Sequence, residues 1–177
     1  MSDRFAPVPP TVRASEVTLL ALHTAITIGA QVARISARVW GLPYFERPAE
    51  RTAGHLLARA VENTGHPNPN PRYSDINPAT IAAVSIRVHR RADALIIDVW
   101  DTDPTPPDTT PPDPHMSAVG ALARRWGTYL SPCGGKVMWA EIGADDHSPA
   151  GLAQPGGSDH LTPRPDPSAD ACPCHAA

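Results

Sequence analysis

Lysine is almost missing from this chain: of its 15 basic residues 14 are Arg, and Lys136 is the single Lys. Net charge is −3 with both signs interspersed, so no basic stripe exists to track a phosphate backbone, and nucleic acid is not an expected partner. Cysteine is scarce as well. Cys133, Cys172 and Cys174 are too few and too unevenly placed for a disulfide framework. No apolar run approaches the ~20 residues that span a bilayer, so no membrane role is expected. The first twelve residues lack the charged-then-apolar layout of a secretory signal, and the expected compartment is the cytoplasm. Glycine is absent between Gly65 and Gly120. There is no Gly-x-Ser-x-Gly elbow, no Walker loop, no paired-Cys zinc pattern and no internal repeat.

What remains reads as one domain with two tails. Residues 1–13 hold three Pro and are expected to form a flexible arm. Residues 144–177 are polar, rich in Pro and Gly and without periodicity, so they are expected to be disordered. Between them, 14–143 carries the hydrophobic patterns. β-Branched residues and Leu from Glu16 to Leu22 predict a first strand. Val32, Ile35 and Val39 predict a helix over Gln31 to Trp40, stopped by Gly41-Leu-Pro43. Ala53, Leu56, Leu57, Ala60, Val61 and Thr64 form one apolar stripe, which predicts a helix from Pro48 to Thr64 ended by Gly65. The stretch from His66 to Pro78, rich in Pro and Asn, is a loop.

Two alternating segments follow. Val84, Ile86 and Val88 form one apolar face, Leu95, Ile97 and Val99 another, and Arg90-Arg-Ala-Asp93 turns the chain between them. Asp113 before Pro114 is a helix start, an N-cap followed by Pro at the first helical position. Met116, Val119, Leu122, Ala123 and Trp126 then predict a third helix ending at Gly127. A last strand is expected from Lys136 to Ile142, after Gly134-Gly135. Helices grouped against a mostly antiparallel sheet make an α+β two-layer sandwich.

Three segments taken together, Leu95-Ile-Ile-Asp-Val-Trp-Asp101, Ala121-Leu-Ala-Arg-Arg-Trp-Gly127 and Gly134-Gly-Lys-Val-Met-Trp-Ala-Glu141, resemble the histidine-kinase-like ATPase superfamily. The likeness is to the small bacterial branch that contains anti-sigma-factor serine kinases. Val39-Trp-Gly-Leu-Pro43 and His55-Leu-Leu-Ala-Arg-Ala-Val-Glu-Asn-Thr-Gly65 fall where that branch has its first two helices. The resemblance spans roughly residues 12–143. It implies the histidine-kinase-like ATPase fold, ATP and Mg²⁺ bound between the helical layer and a lid, and protein partners: a sigma factor, an antagonist protein or a signalling complex. Members often pair, so a homodimer is also implied.

The resemblance assigns Asp101 to the position that accepts a hydrogen bond from the adenine amino group. From its own context, Asp101 shares strand parity with Leu95, Ile97 and Val99, so its carboxylate points to the apolar face and needs a partner. A base edge is one candidate; backbone N–H groups of the Thr-Asp-Pro turn are the other. On the second helix, the resemblance places His55 in the general-base slot, Arg59 in the magnesium-ligand slot and Asn63 in the phosphate-binding slot. Spacing by four keeps the three on one face. Arg has no lone pair for a hard cation, so Mg²⁺ is disfavoured, while ATP stays a candidate ligand and Arg59 a candidate phosphate contact. The competing reading is a solvated polar face.

The glycine box expected before the third helix is replaced by Asp113, Pro114 and His115, and six Pro between Pro104 and Pro114 remove backbone donors. Asp103, Asp108 and Asp113 would repel a triphosphate. Three further features carry bland alternatives. Cys172-Pro-Cys-His175 could bind a soft metal, Cys133 sits in a turn, and the four Trp read as packing residues. The functional expectation is a regulatory partner-binding protein with weakened or lost ATP binding. The alternatives are an active ATP-dependent serine/threonine kinase acting on an antagonist protein, and a metal-responsive protein working through its tail.

Overall fold

A computed structural model describes residues 13–91, 93–105 and 113–143. β1 (Ala14–Leu20) leads into α1 (His23–Val39); a 3-10 turn, Pro43–Phe45, precedes α2 (Glu46–Thr64). β2 (Ala83–Arg91) and β3 (Ala94–Asp101) form a hairpin. α3 (Pro114–Gly120), β4 (Arg125–Leu130) and β5 (Lys136–Gly143) complete the domain. The sheet runs β1-β2-β3-β5-β4, and each described pairing is antiparallel. The expected α+β two-layer sandwich is the observed architecture: three described helices pack on a five-stranded sheet.

The core forms where the helical and strand patterns meet. Leu56, Leu57 and Ala60 of α2 join Val84, Ile86 and Val88 of β2, Leu95, Ile97 and Val99 of β3, and Met138, Ala140 and Ile142 of β5. α1 presents a small-residue face, with Ala25, Gly29, Ala30, Ala33, Ser36 and Ala37 buried, which lets it lie close to α2. At Gly29 a Cβ would come within 2.3 Å of Leu57 Cδ1. The end of α1 is closed as a Schellman motif. Gly41 sits at φ +73°, its N–H donates to Arg38 O at 3.0 Å, and Leu42 N–H donates to Ala37 O at 2.9 Å.

Three expectations change. α1 begins at His23, eight residues before Gln31, because Ala25, Gly29 and Ala30 supply a buried helical face that the β-branched Thr24, Ile26, Thr27 and Ile28 mask in sequence. The third helix stops at Gly120, not Gly127. Leu122 and Ala123 N–H both donate to Val119 O at 2.9 Å, and Arg124 N–H donates to Glu141 O at 2.8 Å, which starts the pairing of β4 with β5. The helix ends at Gly120 in close contact with Trp126, since a Cβ there would lie 2.8 Å from the indole Nε1. Arg125 to Leu130 is therefore an unforeseen fifth strand. The expected flexible arm (all of it but Arg13) and the expected disordered tail lie outside the described residues, as do Asp108, Cys172, Cys174 and His175. Among the described residues, no helix is long and apolar enough to cross a membrane.

Candidate functional site

The polar face of α2 is covered. His55, Arg59 and Asn63 line up on one side of the helix, as their spacing predicts, and the start of α3 rests on them. Asp113 does two things at once. Its Oδ1 caps α3 by accepting from Met116 N–H at 2.9 Å, and its Oδ2 forms an ion pair with Arg59 Nε, the two side chains being 9% and 19% exposed. Arg59 Nη1 also donates to Asn63 Oδ1. The guanidinium is thereby committed within the chain, held from both sides. The expectation of a solvated polar face is corrected on this point: these side chains are half-buried under α3.

His55 faces the second α3 residue of the cluster. Its Nδ1 lies 3.3 Å from His115 Nδ1, and His115 Nε2 lies 3.0 Å from Glu62 Oε1. Burial, then the neighbouring His115 and Arg51, holds His55 below the usual histidine value. His115 and Glu62 were not expected to join this cluster. The helix-start signature at Asp113-Pro114 located the α3 terminus, but nothing in the sequence placed that terminus on α2.

Asp101 ends β3 fully buried, on the helix-facing side as its parity predicts. Its partner is a residue that sequence reasoning passed over. Lys136, also fully buried, donates to Asp101 Oδ1 at 2.9 Å, to Asp103 O at 3.0 Å and to Asp103 Oδ2 at 3.2 Å. All three ammonium protons are used. Asp103 N–H also donates to Asp101 Oδ1 at 2.9 Å, so the backbone-turn partner expected for Asp101 is present too. The two side chains meet because Asp101 and Lys136 are register partners between β3 and β5. Gly135 makes the approach feasible: at φ +71°, any Cβ there would stand 1.9 Å from Asp101 O. Burial pushes the Asp101 carboxyl above its usual value, against the pull of Lys136. Its second oxygen, Oδ2, is buried without a hydrogen-bond partner among the described residues.

The single Lys among 14 Arg made Lys136 conspicuous but did not name its partner; at such a site a compact ammonium and a planar guanidinium are not interchangeable. The four Trp are packing residues in the main: Trp40, Trp100 and Trp139 are buried, and Trp126 is partly buried against the core. Among the described residues, no three His, Cys, Asp or Glu side chains converge to hold a metal ion. No protein-family model matches the chain, and no curated protein matches it, so the site's own chemistry is the guide to function.

Proposed function

We propose that this protein is a regulatory partner-binding module with a histidine-kinase-like ATPase fold, related to anti-sigma-factor serine kinases, whose nucleotide handling has lapsed. The observation that carries the reading is the closure of the α2 face by α3. Arg59 occupies the slot of a magnesium ligand and is itself neutralised by Asp113, so neither a hard cation nor a phosphate finds an available group there. Pro114 at the first turn of α3 adds no N–H donor where bare backbone would have to approach a phosphate. The module then acts in the cytoplasm by contact with a protein: a sigma factor, an antagonist or a signalling complex. It does so as a pair of copies joined along α1. Ile28, Ile35 and Val39 on that helix are exposed and Val32 is half-buried. Their 4-3-4 spacing is self-complementary about a two-fold axis, Ile28 of one copy meeting Val39 of the other.

Thermal unfolding with and without Mg²⁺-ATP tests the central claim. A ligand at 100 times its dissociation constant stabilises by about 2.7 kcal/mol. No shift is expected, and a clear rise in Tm would overturn the reading.

One observation favours a second reading, an active ATP-dependent serine/threonine kinase. The unpartnered Asp101 Oδ2 is an acceptor of the kind that an adenine amino group satisfies. On that reading Asp101→Asn abolishes nucleotide binding and phosphate transfer to an antagonist protein. Absence of ATP and ADP binding by the unaltered chain removes it.

A further inference from the structure

The contact between His55 and His115 has room for one proton. The ring centres stand 5.7 Å apart and the two Nδ1 atoms 3.3 Å apart, so the nitrogens meet head-on, as in a hydrogen bond. On the far side of His115, Nε2 lies 3.0 Å from Glu62 Oε1. An ionised carboxylate only accepts, so this nitrogen carries a proton. With both rings neutral, His115 Nδ1 is therefore a bare acceptor, and His55 Nδ1 donates to it. One added proton also fits. It makes both His115 nitrogens donors, and the bond reverses: His115 Nδ1 donates to His55 Nδ1, while His55 carries its own proton on Nε2. That form is charge-assisted and is held from behind by Glu62. A second added proton does not fit, because both facing nitrogens then carry hydrogen and two cationic rings confront each other.

We infer that this pair is a proton-operated latch between the middle of α2 and the first turn of α3, closed with at most one added proton and released by the second. The neighbouring charges favour release in acid. On α2 and α3 themselves, Arg59 is neutralised by Asp113 and Glu62 serves His115, which leaves Arg51 to oppose a cation at His55. Behind them, α1 brings Arg34 and Arg38, both engaged by Glu46. β3 and β5 bring Asp101 and Lys136, bonded to each other; β2 brings the exposed Arg90, and β4 brings Arg125, bonded to Glu141. Burial, then His115 and Arg51, holds His55 below its ordinary value of 6.5, so His55 is the ring that takes the second proton. By linkage, the contact contributes fully above 6.5, and its contribution is lost as pH falls through the lower folded value. Release is local. Met116 and Val119 stay buried in the core and keep α3 attached, while the turn from Asp113 to His115 lifts and uncovers Arg59. In acid the α2 face then presents Arg51, His55 and Arg59, all cationic, so proton concentration decides whether that face is open to a partner. The latch needs only the α2–α3 contact and holds whether or not nucleotide binds.

Two readouts on the full chain between pH 7.5 and pH 5 test the latch: the imidazole nitrogen resonances and amide hydrogen exchange. The N–H groups of Met116 and Ser117, which donate to Asp113 Oδ1 and Asp113 O at 2.9 Å each, report the first turn of α3. Their protection factors are expected to fall roughly tenfold or more, in step with the charging of His55, while the buried Ile97 and Val99 of β3 keep theirs. His55→Gln should abolish the acid loss, since the Gln side-chain oxygen accepts from His115 and takes up no proton. Charging of His55 with Met116 and Ser117 still protected would overturn the proposal. So would an undiminished acid loss in His55→Gln, or a simultaneous loss at Ile97 and Val99, which would mark global unfolding. Should His55→Gln fail to fold, the unaltered chain decides: coincident midpoints for His55 charging and Met116 exposure support the latch, and separate midpoints reject it.

Discussion

Among the described residues, Lys136 and Asp101 are the two ions most deeply withdrawn from water, both fully buried and bonded at 2.9 Å. Burial of an ion pair costs nearly as much desolvation as the attraction returns, so the pair adds little net stability. Removing one member is another matter. Lys136→Met should destabilise the fold by about 3–5 kcal/mol, because Asp101 would keep its burial and lose its counter-ion. Adding Asp101→Leu to Lys136→Met should restore much of that loss. Urea unfolding of the two variants checks both halves, and equal stability of single and double variants would contradict the account. At this scale the sequence was partly legible. Strand alternation put Asp101 on the apolar face, and the Asp113-Pro114 signature identified a cap that the structure contains. Lys136 was not legible as its partner, because its register opposite Asp101 depends on β5 entering the sheet beside β3, past an intervening helix and strand. No local pattern encodes such a pairing.

Between elements, α1 and α2 are tied at one end by Glu46, which accepts from Arg38 Nε at 3.0 Å and Nη2 at 2.6 Å, with Arg34 Nε at 3.5 Å. Hydrogen bonding from Arg38 is the main reason that the Glu46 carboxyl is held below its ordinary value of 4.5. The sign follows from linkage. A depressed carboxyl contributes stability that is complete above its unfolded value and is lost as pH falls through the lower folded value. Glu46→Gln should therefore lower Tm at pH 6, and the gap to the unaltered chain should close as the pH drops below 4.5. Both residues are near the surface, so the effect will be small and will shrink in high salt. A gap that persists at pH 3 would show that Glu46 acts by packing. The elements themselves were readable where a period ran unbroken, as in the α2 stripe and the β2–β3 alternation. The boundary between α3 and β4 was not. Met116, Val119, Leu122, Ala123 and Trp126 keep helical spacing, yet only Met116 and Val119 belong to the helix. Ala123 and Trp126 reach the same core from a turn and a strand. A core-facing series satisfies either geometry, and Gly120, the residue that decides, carries no turn signature beyond being Gly.

For the molecule as a whole, layer architecture was legible from element order, whereas strand order was not, since β5 sits between β3 and β4. Assembly can be tested at this scale. If copies join along α1, the unaltered chain should run as a dimer in light-scattering measurements, and Ile35→Glu should leave a folded monomer. A monomeric unaltered chain would remove the pairing. The burial of Lys136 has one more outcome. Apart from its α-amino group, the chain owns a single primary amine, and in the native state that amine is sealed. Amine-selective acylating reagents, and enzymes that acetylate or ubiquitinate lysine, will find no lysine side chain to modify on the folded protein. Any mark at Lys136 is then a record that the molecule has opened, which gives each copy a built-in tally of its own unfolding.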